Sequence, residues 1–528
     1  MQPRPTLMPK IATEFTLVLG LGFALVLFAV LLVSTMTLPP LPQVVVLVSL
    51  VVALFFFTKP EIALLTFFGL RLIIDLLWWV PVYVMSLNMM ELFSGAVAGL
   101  AAILFYLELK RFNRHPAIVP FVPYLIVIGI AGFRNLDLRE GMEIVARYLS
   151  TFLLMFLVSA FMDTTRKRIR MHVLFTVAAI VPISVSMWYL AQGRLELELD
   201  GYDRLVGGYH NLHNHALMMM LFACVGVFWL LYTRKVGSTI FFGIYVLCAC
   251  LALYFSYVRT AQLGLLMCVV VHLFLSKRHG LAVAMIGMVG VALLSSELLQ
   301  DRFDDLFQFF QSGTFESQRR NLGSGRWALW SVSMTEYLKY PIGDIFLGLG
   351  LGRHRILTEP LYSAHYYDPS VGYIDPHNDY LSLMYQMGPT ALICYVVFQL
   401  QVMRAGMDLR SIGRSPWARE FGTFMVALTC TVFLTNFLSN SFVSRVTLGW
   451  YYWGMAGLLF GEHLETQRVL EDKATQLAEA QLQQHKDDSK QRGRAQQGLL
   501  AQPGMHTRAG LRWLIGGRGS RRGRHRKR

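Results

Sequence analysis

Long apolar runs alternate with short polar interruptions over most of this chain. About fourteen runs are near the length, about 20 residues, that crosses a bilayer as a helix. Their limits are 15–36, 43–58, 61–80, 89–107, 117–133, 144–162, 171–191, 214–232, 239–256, 259–275, 281–296, 379–403, 420–438 and 446–461. The interruptions are not equivalent. Dense basic clusters fall in alternate loops: Lys110-Arg111 with Arg114, Arg166-Lys167-Arg168 with Arg170, Arg234-Lys235, Lys277-Arg278, and Arg404 to Arg419. The loops between them are poor in lysine, and 37–42 and 81–88 hold no basic residue. Basic loops stay on the cytoplasmic side, so the alternation places both termini in the cytoplasm. The pattern predicts an all-α polytopic membrane protein with about 14 transmembrane helices, 12–14 being compatible. It divides the chain into a membrane domain, 1–461, and a cytoplasmic tail, 462–528. The first run, Phe15 to Met36, follows Arg4 and Lys10. It is too long for the core of a signal peptide and no small-residue cleavage site follows, so it is expected to be a retained helix.

This topology puts two long loops outside, 192–213 and 297–378. Within the larger one, Leu299, Phe303, Leu306, Phe307 and Phe310 recur at helical spacing with Asp301, Asp304 and Asp305 between them. That spacing predicts an amphipathic helix lying on the membrane surface. A second helix is expected over 325–340, with Ser324 as cap and Pro341 as stop. The loop ends at Asp375-Pro376-His377-Asn378-Asp379, a polar cluster that runs directly into the apolar segment beginning at 379.

Composition agrees with the apolar pattern. The 528 residues are 55% hydrophobic and 15% charged, less charge than a soluble chain of this length would carry. All six cysteines lie in apolar runs, as small core residues would, and show neither a disulfide framework nor zinc spacing. The net charge is +15, and much of it lies in a tail that begins as a polar helix and ends in GRGSRRGRHRKR. A disordered basic end beside so many membrane spans suits anionic lipid headgroups. Nucleic-acid binding has only this charge to recommend it and is set aside.

The candidate chemistry gathers on the outer face. Arg134, Arg139, Arg147, Arg194, Arg204, Arg259, Arg302, Arg319, Arg320, Arg326, Arg353, Arg355 and Arg445 lie in or near the outer loops, against one clear lysine, Lys339. Any one of them could be a snorkelling anchor. Together they suggest another role, because guanidinium groups grip phosphate oxygens with paired hydrogen bonds. Arg326 also opens a helix, where free N–H groups favour an anion. A diphosphate in an outer cavity fits this set, and the diphosphate found at a bilayer surface is that of a lipid-linked sugar. His377 is either a structural histidine at a helix start, capped by Asn378 and Asp379, or a general base toward a sugar hydroxyl. Beside an arginine-lined cavity the second is favoured. Three other motifs weigh less. HNLHNH, 210–215, lacks the acidic or cysteine partner of a metal site, so no metal is expected. GLGLG, 348–352, lacks the strand, helix and lysine of a nucleotide loop and is expected to be a flexible turn near the cavity. Arg71 and Asp75, four apart on one helix, are expected to be a structural ion pair rather than an ion path.

Five segments resemble the O-antigen ligase and O-antigen polymerase superfamily of bacterial envelope enzymes: RLVGGYHNLHNHA (204–216), SYVRTA (256–261), SGRWALW (324–330), PIGDIFLGLGLG (341–352) and PHNDYLSLMYQMGPTALICY (376–395). The last is the most specific. The resemblance spans about the second half of the membrane domain. It implies a GT-C-like helical fold with a periplasmic cavity in the bacterial inner membrane. It implies glycan transfer from an undecaprenyl-diphosphate donor to a glycan or lipid A-core acceptor, with no cofactor or metal and with other polysaccharide-assembly proteins as partners. By motif, His377 resembles the family's catalytic histidine, and Arg259 and Arg326 its diphosphate-binding arginines. Arg204 and Asn214 match a lesser motif. Two features depart from the pattern: HNLHNH stands where a proline-asparagine pair is more common, and the basic tail is extra. These motifs concern the donor and the proton transfer, not acceptor choice. They leave a polymerase, slightly preferred, and a ligase both open. A transporter of lipid-linked oligosaccharide is the alternative of another class. It would favour related halves and midplane charges, whereas here the halves show no repeat and the polar groups cluster at one face.

Overall fold

The computed structural model describes residues 58–76, 83–84, 87–135, 137–197, 203–209, 211–295, 326–358, 376–443 and 445–500. Its helices are α1 (Pro60–Leu76), α2 (Met89–Leu107), α3 (Leu109–Phe112), α4 (Ile118–Phe133), α5 (Leu138–Phe161), α6 (Thr165–Ala178), α7 (Ile180–Ala191), α8 (Leu212–Tyr232), α9 (Val236–Ser256), α10 (Arg259–Leu275), α11 (His279–Ser295), α12 (Arg326–Tyr337), α13 (Ile342–Leu347), α14 (Asp379–Ile412), α15 (Pro416–Leu438) and α16 (Val446–Leu500). Two short antiparallel hairpins pair β1 (Tyr83–Val84) with β2 (Leu87–Asn88) and β3 (Glu196–Leu197) with β4 (Asp203–Arg204). Every apolar run from 61–80 onward coincides with a helix, or with the pair α6–α7 for 171–191. The run 15–36, the run 43–58 except its last residue, and the surface helix expected at 298–310 lie outside the described residues. Among the described helices, α5, the α6–α7 pair, α8, α9, α14 and α15 are long and apolar enough to cross a membrane. The result is an all-α, multi-pass membrane architecture.

Polar residues set where the helices begin. Asp137 accepts the Arg139 amide at 2.9 Å, Ser415 the Ala418 amide at 3.0 Å, and Asn378 the Tyr380 and Leu381 amides at 3.0 and 3.1 Å. Each satisfies N–H groups that a helix start leaves unpaired. The first turns of α16 are the centre of the packing, with Trp450 and Trp453 fully enclosed. Trp450 donates to Ser150 Oγ of α5 at 2.8 Å, and Tyr452 to Thr429 Oγ1 of α15 at 3.1 Å. The Trp453 ring meets Phe152 of α5 at 4.7 Å and Tyr395 of α14 at 5.9 Å. Helices pack closely where small residues face each other, because lipid supplies no hydrophobic drive between them. Gly406 and Gly422 make such a contact between α14 and α15: a Cβ on either would press on the other's carbonyl oxygen.

The helix beginning at Val446 does not stop at 461. Glu462 and Glu465 pair with the enclosed Arg168 of α6 at 2.6 Å each, and the sequence beyond is rich in good helix formers. The helix therefore runs to Leu500, while the compact unit built around the membrane helices closes at Thr466 and a second unit begins at Gln467.

Arg71 and Asp75 are a closed pair, 3.0 Å apart on α1 and both buried. Arg71 also donates to Thr447 Oγ1 at 2.8 Å and Ser94 Oγ at 2.6 Å, and its guanidinium lies 5.1 Å from the Trp450 ring centre. Removing one partner of a buried pair strands the other charge, at a cost of about 3–5 kcal/mol. Arg71→Ala is accordingly expected to lower the melting midpoint markedly, and Arg71→Ala with Asp75→Asn to recover part of the loss. Melting curves of both variants and of Asp75→Asn alone in detergent check this, and a double-variant loss equal to the sum of the two single losses would rule out a coupled pair.

Candidate functional site

The site is assembled from four clusters of contacts, each joining residues from more than one part of the chain. The first is at the start of α14. His377 has φ +48°, a left-handed conformation uncommon for a residue with a side chain. Its neighbours hold it there. Trp330 of α12 donates its indole N–H to the Pro376 carbonyl at 2.6 Å on one side. On the other side, Asn378 caps α14, and the fully enclosed Asp379 carboxylate accepts the Ser441 and Val443 amides at 2.7 and 3.1 Å. Backbone strain of this kind persists only where the surroundings determine it. Asn378 and Asp379 thus hold the backbone on which His377 is mounted.

The second cluster is at the start of α8. Asn211 caps it, accepting the His213 and Asn214 amides at 2.9 and 3.3 Å. The cap brings the His213 ring to 6.1 Å from the His377 ring. Arg445 reaches across from the start of α16. Its Nη1 donates to Asn214 Oδ1 at 2.6 Å and Asn211 Oδ1 at 3.2 Å, and its Nε to the Asn440 carbonyl at 2.7 Å.

The third cluster carries Arg326, at the first position of α12. Its Nη1 donates to the Leu438 carbonyl and to Thr260 Oγ1, the latter at 3.4 Å. Thr260 follows Arg259 at the start of α10, so the two arginines are neighbours. Burial first, and the Arg259 charge second, pull the Arg326 guanidinium below its ordinary pKa. Arg326, Arg204 and Arg445 are all within electrostatic reach of His213. Arg204 comes from β4, where the Leu205 amide donates to the Phe255 carbonyl at 2.9 Å and docks the hairpin on the end of α9.

The fourth cluster closes the floor. α14 is broken at Gly388, φ +77° and ψ 175°, immediately before Pro389. The break frees two carbonyls, and the GLGLG turn takes them: Leu349 N donates to Tyr385 O at 2.7 Å and Gly350 N to Gln386 O at 3.1 Å. Gly352 N donates to Gln386 Oε1 at 2.9 Å. The turn is a fitted seal on a broken helix, and Gly352 lines the cleft beside His377. A Cβ at Gly388 would overlap the Phe346 carbonyl in a backbone conformation side chains avoid. Gly388→Ala is expected to lower both melting midpoint and activity by disturbing this seal. Unchanged melting would mean the break can move.

His377 and His213 open on a cleft of about 350 Å³ that Glu140, Arg147, Tyr148, Gln386 and Arg445 also line. HNLHNH does not act as a unit. His213 faces this cleft, while His215, two residues on along the helix, is fully buried against Gly207. Residues two apart on a helix point to nearly opposite sides. His210 lies outside the described residues.

Of the seven residues expected at the site, His377 and Asn378 immediately precede α14, Asp379 opens it and Asn214 lies on α8, while Arg204 on β4 and Arg326 on α12 are within electrostatic reach of His213 and Arg259 on α10 is within reach of Arg326. His213, Asn211, Arg445 and Trp330 join them without having been expected as site residues. His213 and Asn211 lie in HNLHNH and Trp330 in SGRWALW, and Arg445 was one of the outer-face arginines, but its partner Asn214 is 231 residues away.

Residues 244–396 match a family model described as O-antigen ligase. The match takes in Arg259, Arg326 and the start of α14, and leaves Arg204, His213, Asn214 and Arg445 outside. No curated protein matches the chain.

Proposed function

We propose, from the match of residues 244–396 to the O-antigen ligase family model, that the protein transfers a glycan from undecaprenyl diphosphate to an acceptor sugar hydroxyl. His377 takes the proton of the acceptor hydroxyl as its oxygen attacks the anomeric carbon. The bond from that carbon to the diphosphate breaks, and Arg259, Arg326 and Arg204 receive the negative charge that collects on the departing lipid diphosphate. Asn214 and Arg445 fix the α8 start, and with it His213, against His377. The observation that carries this account is the Arg259–Arg326 pair, of which Arg326 is within electrostatic reach of His213, the imidazole next to His377. Two partly dehydrated cations held together favour an anion between them, and an imidazole next to that anion suits acid–base work on the group attacking it.

In this account the chain is a GT-C-like enzyme of about fourteen spans in the bacterial inner membrane. Both termini are cytoplasmic and the site is on the periplasmic face. The finer assignment is to polymerisation of O-antigen or exopolysaccharide repeats. The second assignment, transfer of a finished glycan to lipid A-core or protein, has in its favour the family's description as a ligase. Deleting the gene and profiling lipid-linked and finished glycans separates them. Accumulated single repeats on the lipid mark a polymerase, and long lipid-linked chains beside a bare acceptor mark a ligase. Normal glycans after deletion would refute both.

A further inference from the structure

The cleft beside His377 has a second wall that the arginine pair does not reach. Ile144 and Tyr148 follow one stripe of α5, four residues apart. Ser382 and Gln386, also four apart, follow the facing stripe of α14. Neither Arg259, Arg326 nor Arg204 is among the described lining residues; the arginines that line it are Arg355, Arg147, which is paired with Glu143, and Arg445, which is held by Asn214 and the Asn440 carbonyl. The hydrogen-bonding capacity along this groove is unevenly used. Gln386 is locked, its Oε1 accepting from Gly352 N at 2.9 Å and its Nε2 donating to Ser382 O at 3.2 Å, which leaves one amide hydrogen. Asn440 and His213, which also line the groove, hold a side-chain oxygen and Nδ1 buried with no hydrogen-bond partner among the described residues. Buried polar atoms are rarely left so without a ligand or water to meet them.

The chemistry of these atoms selects the ligand. An amide oxygen only accepts. Diphosphate oxygens also only accept, so they cannot satisfy Asn440. A sugar hydroxyl both gives and takes. We propose that this groove is the acceptor-sugar subsite, in which Asn440, His213 and Gln386 orient a polyhydroxylated ring with one hydroxyl at His377. The inference rests on the transfer function proposed above and names the substrate class of its second half-site.

Two variants test it without touching the arginine pair. Asn440→Leu removes the unpartnered oxygen and keeps the backbone carbonyl that Arg445 uses. Ile144→Trp fills the groove from α5. Full-length protein in lipid nanodiscs is titrated with two probes by thermal shift: undecaprenyl diphosphate, and the lipid-linked glycan extracted from the deletion strain. Transfer is scored as finished glycan in the complemented strain. Both variants are expected to bind both lipids within about twofold of wild type and to lose transfer by about tenfold or more. Asn440→Leu should melt no lower than wild type, because it deletes a buried unsatisfied group. Undiminished transfer in both variants would overturn the inference. So would weakened binding of the lipid-linked glycan with undecaprenyl diphosphate unaffected, since the groove would then hold the donor's sugar. A wild-type protein that binds neither lipid and transfers nothing would overturn the transfer function itself, and the groove assignment with it.

Discussion

His377→Ala is expected to reduce glycan transfer by about 10²–10⁴-fold, the range a positioned acid–base group contributes. The structure complicates that variant usefully. His377 has φ +48°, between a hydrogen-bonded Pro376 carbonyl and an asparagine cap, so alanine could also let the backbone relax. His377→Asn separates the two effects, because asparagine tolerates the left-handed region and has no base. If the imidazole is what matters, both variants lose transfer alike while melting and undecaprenyl-diphosphate binding stay near wild type. If the backbone matters, asparagine retains most of the activity. The assay is the rate of finished-glycan formation at matched membrane levels of protein.

Arg326→Lys is the second large effect, with an expected loss of about 10²–10³-fold, the scale of removing one donor to a developing anion. Lysine keeps the charge but not the fork, one nitrogen of which holds the Leu438 carbonyl and Thr260 and the other edge of which is proposed to meet a phosphate. Arg326→Lys should therefore behave nearly as badly as Arg326→Ala. Arg259→Ala should also fail. The double variant Arg259→Ala with Arg326→Ala should lose less than the product of the single losses, because both groups act on one diphosphate. Independent, fully multiplicative losses measured by transfer rate would count against a shared anion.

What could be read in the sequence divides along physical lines. Helix positions follow from apolar length alone, and α10, expected at 259–275, lies at Arg259–Leu275. The break in α14 was hidden because hydrophobic residues continue on both sides of Met387-Gly388-Pro389. The signal was the Gly-Pro step, and only the GLGLG turn, docked on the freed carbonyls, explains why the break is tolerated. The extension of α16 was hidden for a different reason. A span ends where apolar residues end, whereas this helix is carried past that point by Glu462 and Glu465 on Arg168. Of the proposed site, the residues within recognisable motifs could be marked from the sequence: His377, Arg259 and Arg326. The roles of Arg445 and His213 come from contacts between segments distant in sequence, which no local pattern encodes. Asp379 was legible as a residue of the site, but not as the carboxylate that ties the α15–α16 turn to the base of His377.

The central claim is that the leaving group is an intact lipid diphosphate, and the lipid product of the reaction tests it most directly. Purified full-length protein is incubated in nanodiscs with lipid-linked glycan and acceptor extracts from the deletion strain, and the released lipid is identified by mass. The expected product is undecaprenyl diphosphate, formed in step with glycan transfer and absent with His377→Asn. Undecaprenyl monophosphate as the product, or transfer that proceeds unchanged in His377→Asn, would contradict it.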